Sequence, residues 1–301
     1  MIRRFALALV VCLVMLVPAL KAFSQAASQP EAAPGAVKLE YKFTPGDEYR
    51  SKMVMDIDMD MSGQIPGAAA GSMPKMTIKT VMVFKTKITK VLPNGDAEIS
   101  QQIESMKMDM MGQTRNVPLD KMPNFTIVMS PNGAVKSIKG MEEFSKLPTS
   151  FMSMNGMGEF GGVLPLNAVK TGDTWSQELP MPMGSGKIKM DSVLLDANSK
   201  LGKYNVAVIK EKVIGDFDMS SLMQSAAGAN SSSQPAPKIS GHLSTDGKVY
   251  FSSEKGRLVR AECTGNVQMA MVMSAPDASG NMVEHPVNMS IPMKMEMFIL
   301  P

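Results

Sequence analysis

Residues 49–61 read YRSKMVMDIDMDM, and their strict alternation of apolar and polar side chains decides the fold class. Successive side chains of a β-strand point to opposite faces of a sheet, so residues two apart share a face. The polar face carries Lys52 and three aspartates around Val54. The stretch therefore predicts a long amphipathic strand. Its apolar face consists of Met53, Met55, Ile57, Met59 and Met61.

The same alternation extends across the rest of the chain. It recurs over residues 76–91 and again, unbroken, over residues 287–299. Between strands, Asn94-Gly95 favours a type I′ hairpin, because both central residues of that turn need positive φ. The apolar phase changes near Ser105, which predicts a bulge there. We expect a mainly-β protein with long antiparallel strands and one or two short helices, built as a curved sheet, a half-barrel or a sandwich.

The side chains of the first two predicted strands also suggest a register. With Met61 opposite Met76 in an antiparallel pair, Met55 faces another methionine and Asp58 faces Lys79. Apolar pairs and opposite charges across two strands both stabilise a sheet. We therefore predict this register.

Turn motifs recur at a spacing that indicates duplication. Gly46 begins a Gly-Asp turn that leads to Tyr49, and Gly172 begins a similar turn that leads to Trp175. Later glycine turns, at positions 133 and 256, keep nearly the same distance and the same order. The sequence thus predicts two similar β-rich halves.

Composition completes the predicted organisation of the chain. We expect a signal peptide at 1–26, a disordered lead-in at 27–36, a first β repeat at 37–140, a short helix and Gly-rich loop at 141–162, and a second β repeat at 163–301 with a low-complexity loop at 220–238.

The N-terminus predicts export. Arg3 and Arg4 precede the uncharged apolar stretch 5–20, and small residues follow it, as in a signal peptide cleaved after Ser24 or Ala26. The stretch is shorter than the roughly 20 apolar residues of a spanning helix. We expect a protein of the periplasm or the extracellular space, with no integral membrane span after cleavage.

The charge balance argues against partners that require a basic surface. Arg3, Arg4 and Lys21 leave with the signal peptide, so 28 of the 31 basic residues remain against 28 acidic ones. A neutral chain without a basic block suits neither nucleic acid nor an anionic membrane surface. We expect no nucleic-acid partner.

Groups that carry catalysis are scarce in this sequence. It contains two histidines, His242 at a predicted strand start and His285 in a predicted loop, and neither has zinc-ligand spacing. The sequence contains no nucleophile elbow and no phosphate-binding loop. Cys263 shares the apolar phase of Val259, which predicts an inert buried cysteine. We expect no enzyme, no catalytic residues and no required cofactor.

Three turn motifs carry a resemblance to a known family. Pro-Gly-Asp-Glu-Tyr at 45–49, Ser-Pro-Asn-Gly at 130–133 and Lys-Thr-Gly-Asp-Thr-Trp at 170–175 resemble an uncharacterised family of exported bacterial proteins, catalogued as a domain of unknown function. This resemblance covers most of the mature chain and implies no catalytic or binding residue. Long amphipathic strands behind a signal peptide are also similar to periplasmic lipoprotein carriers of the LolA type. That similarity implies a curved half-barrel with an apolar concave face.

Methionine is unusually abundant, with 32 residues in 301. Met-x-Met pairs place two thioethers on one strand face, and thioethers are soft ligands for Cu(I). Most of these methionines share the phase of Ile, Val and Phe, which indicates core packing. The methionines of the Gly-rich loop lack that phase and are the candidates for a copper site. They are Met152, Met154 and Met157.

The sequence leaves three functions, of which we favour the first. It is an exported, non-catalytic protein that binds an apolar ligand such as a lipid, or an envelope protein, through an adaptable methionine-lined face. The alternative is a Cu(I)-binding, methionine-rich periplasmic protein. The third is a purely structural or interaction module. The sequence assigns no ligand-binding residue.

Overall fold

The computed structural model describes residues 35–59, 76–110, 112–119, 124–140, 163–180, 185–220, 238–276 and 282–301. Within these residues, twelve strands form one antiparallel sheet that is not closed, which confirms the mainly-β prediction. No helix in this part of the chain is long and apolar enough to cross a membrane. The predicted signal peptide, the predicted helix and loop at 141–162, and nearly all of the predicted loop at 220–238 lie outside the described residues.

Except for β4 with β5 and β6 with β7, strands that follow one another along the chain are also neighbours in the sheet. The order is β6-β5-β3-β2-β1-β12-β11-β10-β9-β8-β7, with β4 paired to β3 beside this path. The last strand pairs with the first, so the two halves of the chain join at β1 and β12. The bounds are β1 Glu48–Met59, β2 Met76–Val91, β3 Ala97–Met110, β4 Gln113–Asn116, β5 Phe125–Met129, β6 Val135–Lys139, β7 Thr174–Pro180, β8 Ser185–Leu201, β9 Tyr204–Asp218, β10 Lys238–Ser252, β11 Arg257–Pro276 and β12 Met282–Ile299.

The alternation in sequence becomes an alternation in burial. Met53 on β1 is buried and pairs with Met82 on β2 and with Met297 on β12. Phe84 and Met106 extend the same apolar cluster across β2 and β3. We call the face that carries these buried residues the inner face. Its packing replaces water with hydrocarbon, which is the dominant stabilising contribution in such a fold.

The predicted register of the first two strands is wrong by two residues. Met59, not Met61, lies opposite Met76, and Asp56, not Asp58, lies opposite Lys79. The Lys79 Nζ is 3.7 Å from a carboxylate oxygen of Asp56. A shift of two keeps every side chain on its own face. Because aspartate and apolar residues repeat along β1 at that same interval, the pattern fits both registers.

The hairpin between β2 and β3 has a different turn from the predicted one. The Gly95 amide donates to the Leu92 carbonyl at 2.9 Å, so Pro93 and Asn94 are the central residues. Proline favours the first central position because its ring fixes φ near −65°. Gly95 follows the turn with φ of 86°. Only this glycine needs the left-handed region, where it has no steric cost.

The bulge predicted near Ser105 is confirmed. Val83 pairs with Ser105 and Phe84 pairs with Ile103, which leaves Glu104 as the additional residue on β3. Glu104 accepts a 2.7 Å hydrogen bond from the Arg50 side chain. The bulge explains the phase change in the sequence, because one inserted residue exchanges the two faces of a strand.

The sheet is rolled, so that distant strands meet at one end. The Tyr41 amide donates to Pro131 in the β5–β6 turn, and the adjacent Lys42 amide donates to Gly256 in the β10–β11 turn. In a flat sheet, β5 and β10 would lie six strand spacings, or about 29 Å, apart. Two consecutive amides reach both turns only if the sheet curls around them. We call this end the filled end and the opposite end the far end.

Two chain segments occupy the interior at the filled end. These arms, residues 35–46 and 163–172, are bridged by backbone hydrogen bonds between Val37 and Val169. Leu39 and Leu164 are fully buried in one cluster with Phe251 of β10. The arms therefore provide the core that a single sheet cannot make alone.

Candidate functional site

The inner face is buried at the filled end and half-buried toward the far end. On β1, burial decreases from Met53 to Met59, and on β3 it decreases from Met106 to Met110, which is 40% exposed. Cross-strand pairing places the half-buried apolar residues side by side on β3, β2, β1, β12 and β11. We call eight of them, together with the exposed Met110, the far-end patch. Its members are Met110, Met108, Ile78, Met76, Ile57, Met59, Met293, Met289 and Met269.

Glycines interrupt the inner face of β9, β10 and β11. A Cβ at Gly247 would lie 2.7 Å from the Glu262 carbonyl oxygen and 2.9 Å from the Cβ of Cys263. A Cβ at Gly241 would lie 2.3 Å from the Phe217 ring. Adjacent strands and side chains thus occupy the space of the missing side chains, which lets the sheet curl strongly here. The positions are Gly215, Gly241, Gly247 and Gly265.

Glu211 on β9 faces this interior. Its cross-strand neighbours are Gly247 on β10 and Ser192 on β8. Along the inner rows of β1–β3 and β7–β12, it is the one charged residue whose side chain the structure describes. Its carboxyl forms no hydrogen bond or ion pair with a described residue. Burial raises the pKa of the Glu211 carboxyl from 4.5 to about 8.

Two further titratable groups share the interior with Glu211. Burial, followed by the charge of Glu211, raises the pKa of the Cys263 thiol to about 11. Burial, followed by the charges of Tyr49 and Glu211, raises the pKa of Tyr41. Cys263 lies opposite Gly247 in β11, in the strand position predicted for it. With so high a pKa the thiol stays protonated near neutral pH, when its nucleophilicity is low.

His242 lies on the outer face of β10. Its Nδ1 is 2.7 Å from a carboxylate oxygen of Asp216, its direct cross-strand neighbour on β9. Glu178 and Lys187 line the same surface pocket, which has a volume of about 220 Å³. The His242 side chain is 46% exposed and the Asp216 side chain 88% exposed. Cross-strand pairing on a solvated sheet face accounts for this geometry.

The prediction that His285 lies in a loop is wrong. His285 is a residue of β12 and pairs with Met273 of β11. The adjacent Pro286 has no N–H to give to a sheet, which is why the sequence suggested an interruption. The described part of β1 pairs with β12 only from Ile299 to Met293. Pro286 therefore lies where only one side of β12 has a described neighbour, and a strand tolerates proline there.

Among the described residues, histidine, cysteine, aspartate and glutamate form no group of three or more that could hold a metal ion. Met152, Met154 and Met157 lie outside the described residues, so the copper hypothesis stays a prediction.

Glu211 and the inner glycines are site residues that the sequence reasoning missed. A signal for them exists in residues 207–217, where Glu211 and Gly215 occupy the same phase as Ile209 and Phe217. A charged residue in an apolar phase is costly, and a glycine in that phase marks close approach. A search for alternation alone finds the strand but does not single out Glu211 or Gly215 within it.

The sequence matches no protein-family model and no curated protein. The resemblances drawn from the turn motifs therefore remain predictions, and the function rests on the geometry of the inner face.

Proposed function

We propose that this chain is an exported protein that binds an apolar ligand, such as a lipid or an acyl chain, on the inner face of its rolled sheet. One observation carries the proposal. The inner face is buried where the arms cover it, but the far-end patch leaves apolar side chains half-buried across neighbouring strands. Contiguous apolar surface of this kind marks binding sites in proteins.

The composition of the far-end patch favours an adaptable ligand site. Seven of its nine residues are methionine, and the other two are Ile57 and Ile78. Methionine has no branched carbon and three rotatable bonds, so it repacks around ligands of different shape. A bound acyl chain that removed roughly 200 Å² of apolar surface from water would gain about 5 kcal/mol of binding free energy. The cost of ordering the ligand and the side chains around it reduces this gain.

We also infer that the two halves of the sheet are copies of one unit. The successive strands of each half follow one another across the sheet in the same direction. They are β1, β2, β3, β5 and β6 in the first half and β7, β8, β9, β10 and β11 in the second, with β12 between the two halves. Each half is preceded by one of the two arms. Duplication of a meander supports the proposal because it yields a sheet wide enough to roll around a ligand.

The proposal is tested by native mass spectrometry of the mature protein purified from the exported fraction. The expected result is a chain mass that begins after residue 24 or 26, accompanied by an added mass in the lipid range. Lipid extraction should remove that added mass. A copper-sized addition would instead support the alternative.

A matched pair of variants locates the binding surface. Met289 lies on the inner face of β12 and is half-buried, whereas its neighbour Asn288 is exposed on the outer face. Met289→Lys should remove the lipid-range mass, since a cation opposes an apolar ligand. Asn288→Lys should leave it in place. If both variants retained the bound mass, the inner face would not be the binding surface.

A further inference from the structure

Glu211 lies on the inner face at the boundary between the buried interior and the far-end patch. Its row crosses the sheet through Gly247 and Cys263 to Met295, which is buried. The next row toward the far end reaches Met293, a member of the far-end patch. Glu211 therefore lies where the filled part of the interior adjoins the proposed ligand surface.

The protein supplies no positive charge to this carboxyl within the described interior. Its row neighbours are serine, glycine and cysteine, at Ser192, Gly247 and Cys263. The lysines that flank it on β9, Lys210 and Lys212, are exposed on the opposite face. The Glu211 side chain is half-buried, and a carboxyl partly removed from water without a partner is destabilising, so neutral glutamine or an apolar residue would fold at lower cost. An acid in this position gains from a partner that arrives with the ligand.

We propose that Glu211 binds the amino group of an apolar amine, whose hydrocarbon part lies on the far-end patch. This inference rests on the proposed function and adds to it the chemical class of the ligand. An ammonium group beside the carboxylate restores the compensation that the interior lacks, and the low local dielectric strengthens the pair. A ligand acid at this position would place two carboxyls together and bind poorly.

Three ligands of equal chain length distinguish the binding of an apolar chain from the recognition of an amino group by Glu211. Dodecylamine, dodecanol and dodecanoic acid are titrated into the mature protein by calorimetry, below their critical micelle concentrations. We expect dodecylamine to bind at least tenfold more tightly than dodecanol, and dodecanoic acid to bind most weakly. Glu211→Gln should remove the preference for the amine while dodecanol binding persists. The control Glu284→Gln, at an exposed outer-face position of β12, should keep the preference.

Thermal melting provides a second readout that also monitors folding. Dodecylamine should raise the Tm of the unmodified chain and of Glu284→Gln more than dodecanol does, and the two should act equally on Glu211→Gln. An amine preference that survived Glu211→Gln, or tighter binding of the fatty acid, would overturn the assignment of Glu211 and leave the apolar site intact. Failure of all three ligands to bind the unmodified chain would overturn the proposed function itself.

Discussion

Gly46 and Gly172 make the same connection to the sheet in the two halves of the chain. The Gly46 amide donates to Ile88 and the Gly172 amide donates to Leu194, each at 2.8 Å. Both glycines have a positive φ, of 89° and 94°. In each turn, the backbone carbonyl of the aspartate after the glycine accepts a hydrogen bond from the amide of that same sheet residue. The two turns thus lock the start of each half by one geometry.

The equivalence of these turns predicts equal costs of substitution. Gly46→Ala and Gly172→Ala should each lower the free energy of unfolding by about 1–2 kcal/mol, because alanine is strained at positive φ. An added Cβ meets nothing within 4 Å at either position, so strain is the only expected cost. Urea denaturation measures both. Costs that differed by more than about 1 kcal/mol would count against the equivalence of the halves.

Arg257 is expected to stabilise the filled end. Its guanidinium is 2.9 Å from Asp47 and 4.9 Å from the centre of the Tyr49 ring, so one side chain joins β11 to the chain before β1. Arg257→Ala should cost about 1–2 kcal/mol in urea denaturation, since a half-buried ion pair and a cation–π contact are both lost. The exposed pair of Lys187 and Glu178 is the control. Lys187→Ala should cost less than about 0.5 kcal/mol, and equal costs for the two variants would contradict the prediction.

The burial gradient on β1 predicts that two methionines differ in their roles. Met53 is 1% exposed, and Met53→Ala should cost about 2–5 kcal/mol because it leaves a cavity. Met59 is half-buried, so Met59→Ala should cost less than about 1 kcal/mol while weakening dodecanol binding severalfold. Denaturation and calorimetry on the two variants measure this separation. A large stability loss in Met59→Ala would show that the far-end patch belongs to a closed core.

The inner glycines are expected to be intolerant of even one methyl group. Gly247→Ala should destabilise the protein by about 1–3 kcal/mol, because the new Cβ would collide with the Glu262 carbonyl and with Cys263. The adjacent Lys248 is exposed on the outer face, and Lys248→Ala should stay within about 0.5 kcal/mol of the unmodified chain. Thermal denaturation compares the two. Tolerance of Gly247→Ala would mean that this position does not set the curl of the sheet.

Strand positions and faces could be predicted from the sequence because alternation is a local property. The 16 residues of β2 and the Glu104 bulge both follow from the phase of apolar side chains. The register of β1 on β2 could not be fixed, since the repeat of Asp56 and Asp58 satisfies two alignments. The curl depends on contacts between distant residues, such as Lys42 with Gly256, and local periodicity contains no information on these. The Glu211 site follows from that curl and was not predicted.

The raised pKa of Glu211 predicts a pH dependence of stability with a definite sign. In the unfolded chain this carboxyl titrates near 4.5, and in the folded chain burial moves its pKa to about 8. Between these values the folded chain holds a proton that the unfolded chain has lost, so stability is highest at low pH and decreases as the pH rises through this window. Allowing for partial exposure to solvent, the decrease should be roughly 2–4 kcal/mol.

Comparison with Glu211→Gln isolates this contribution, because glutamine has the same shape and does not titrate. The difference in unfolding free energy between the variant and the unmodified chain should increase from pH 5 to pH 9 in favour of the variant, measured by urea denaturation at each pH. Groups that the charge of Glu211 does not influence titrate alike in both proteins and cancel in the difference, and the Cys263 thiol, with a pKa of about 11, stays protonated in the folded chain over this range. Saturating dodecylamine should reduce the difference, since an ammonium partner stabilises the ionised carboxyl. Parallel pH profiles for the two proteins would mean that Glu211 is well solvated, and the reason to assign it an amine would then disappear.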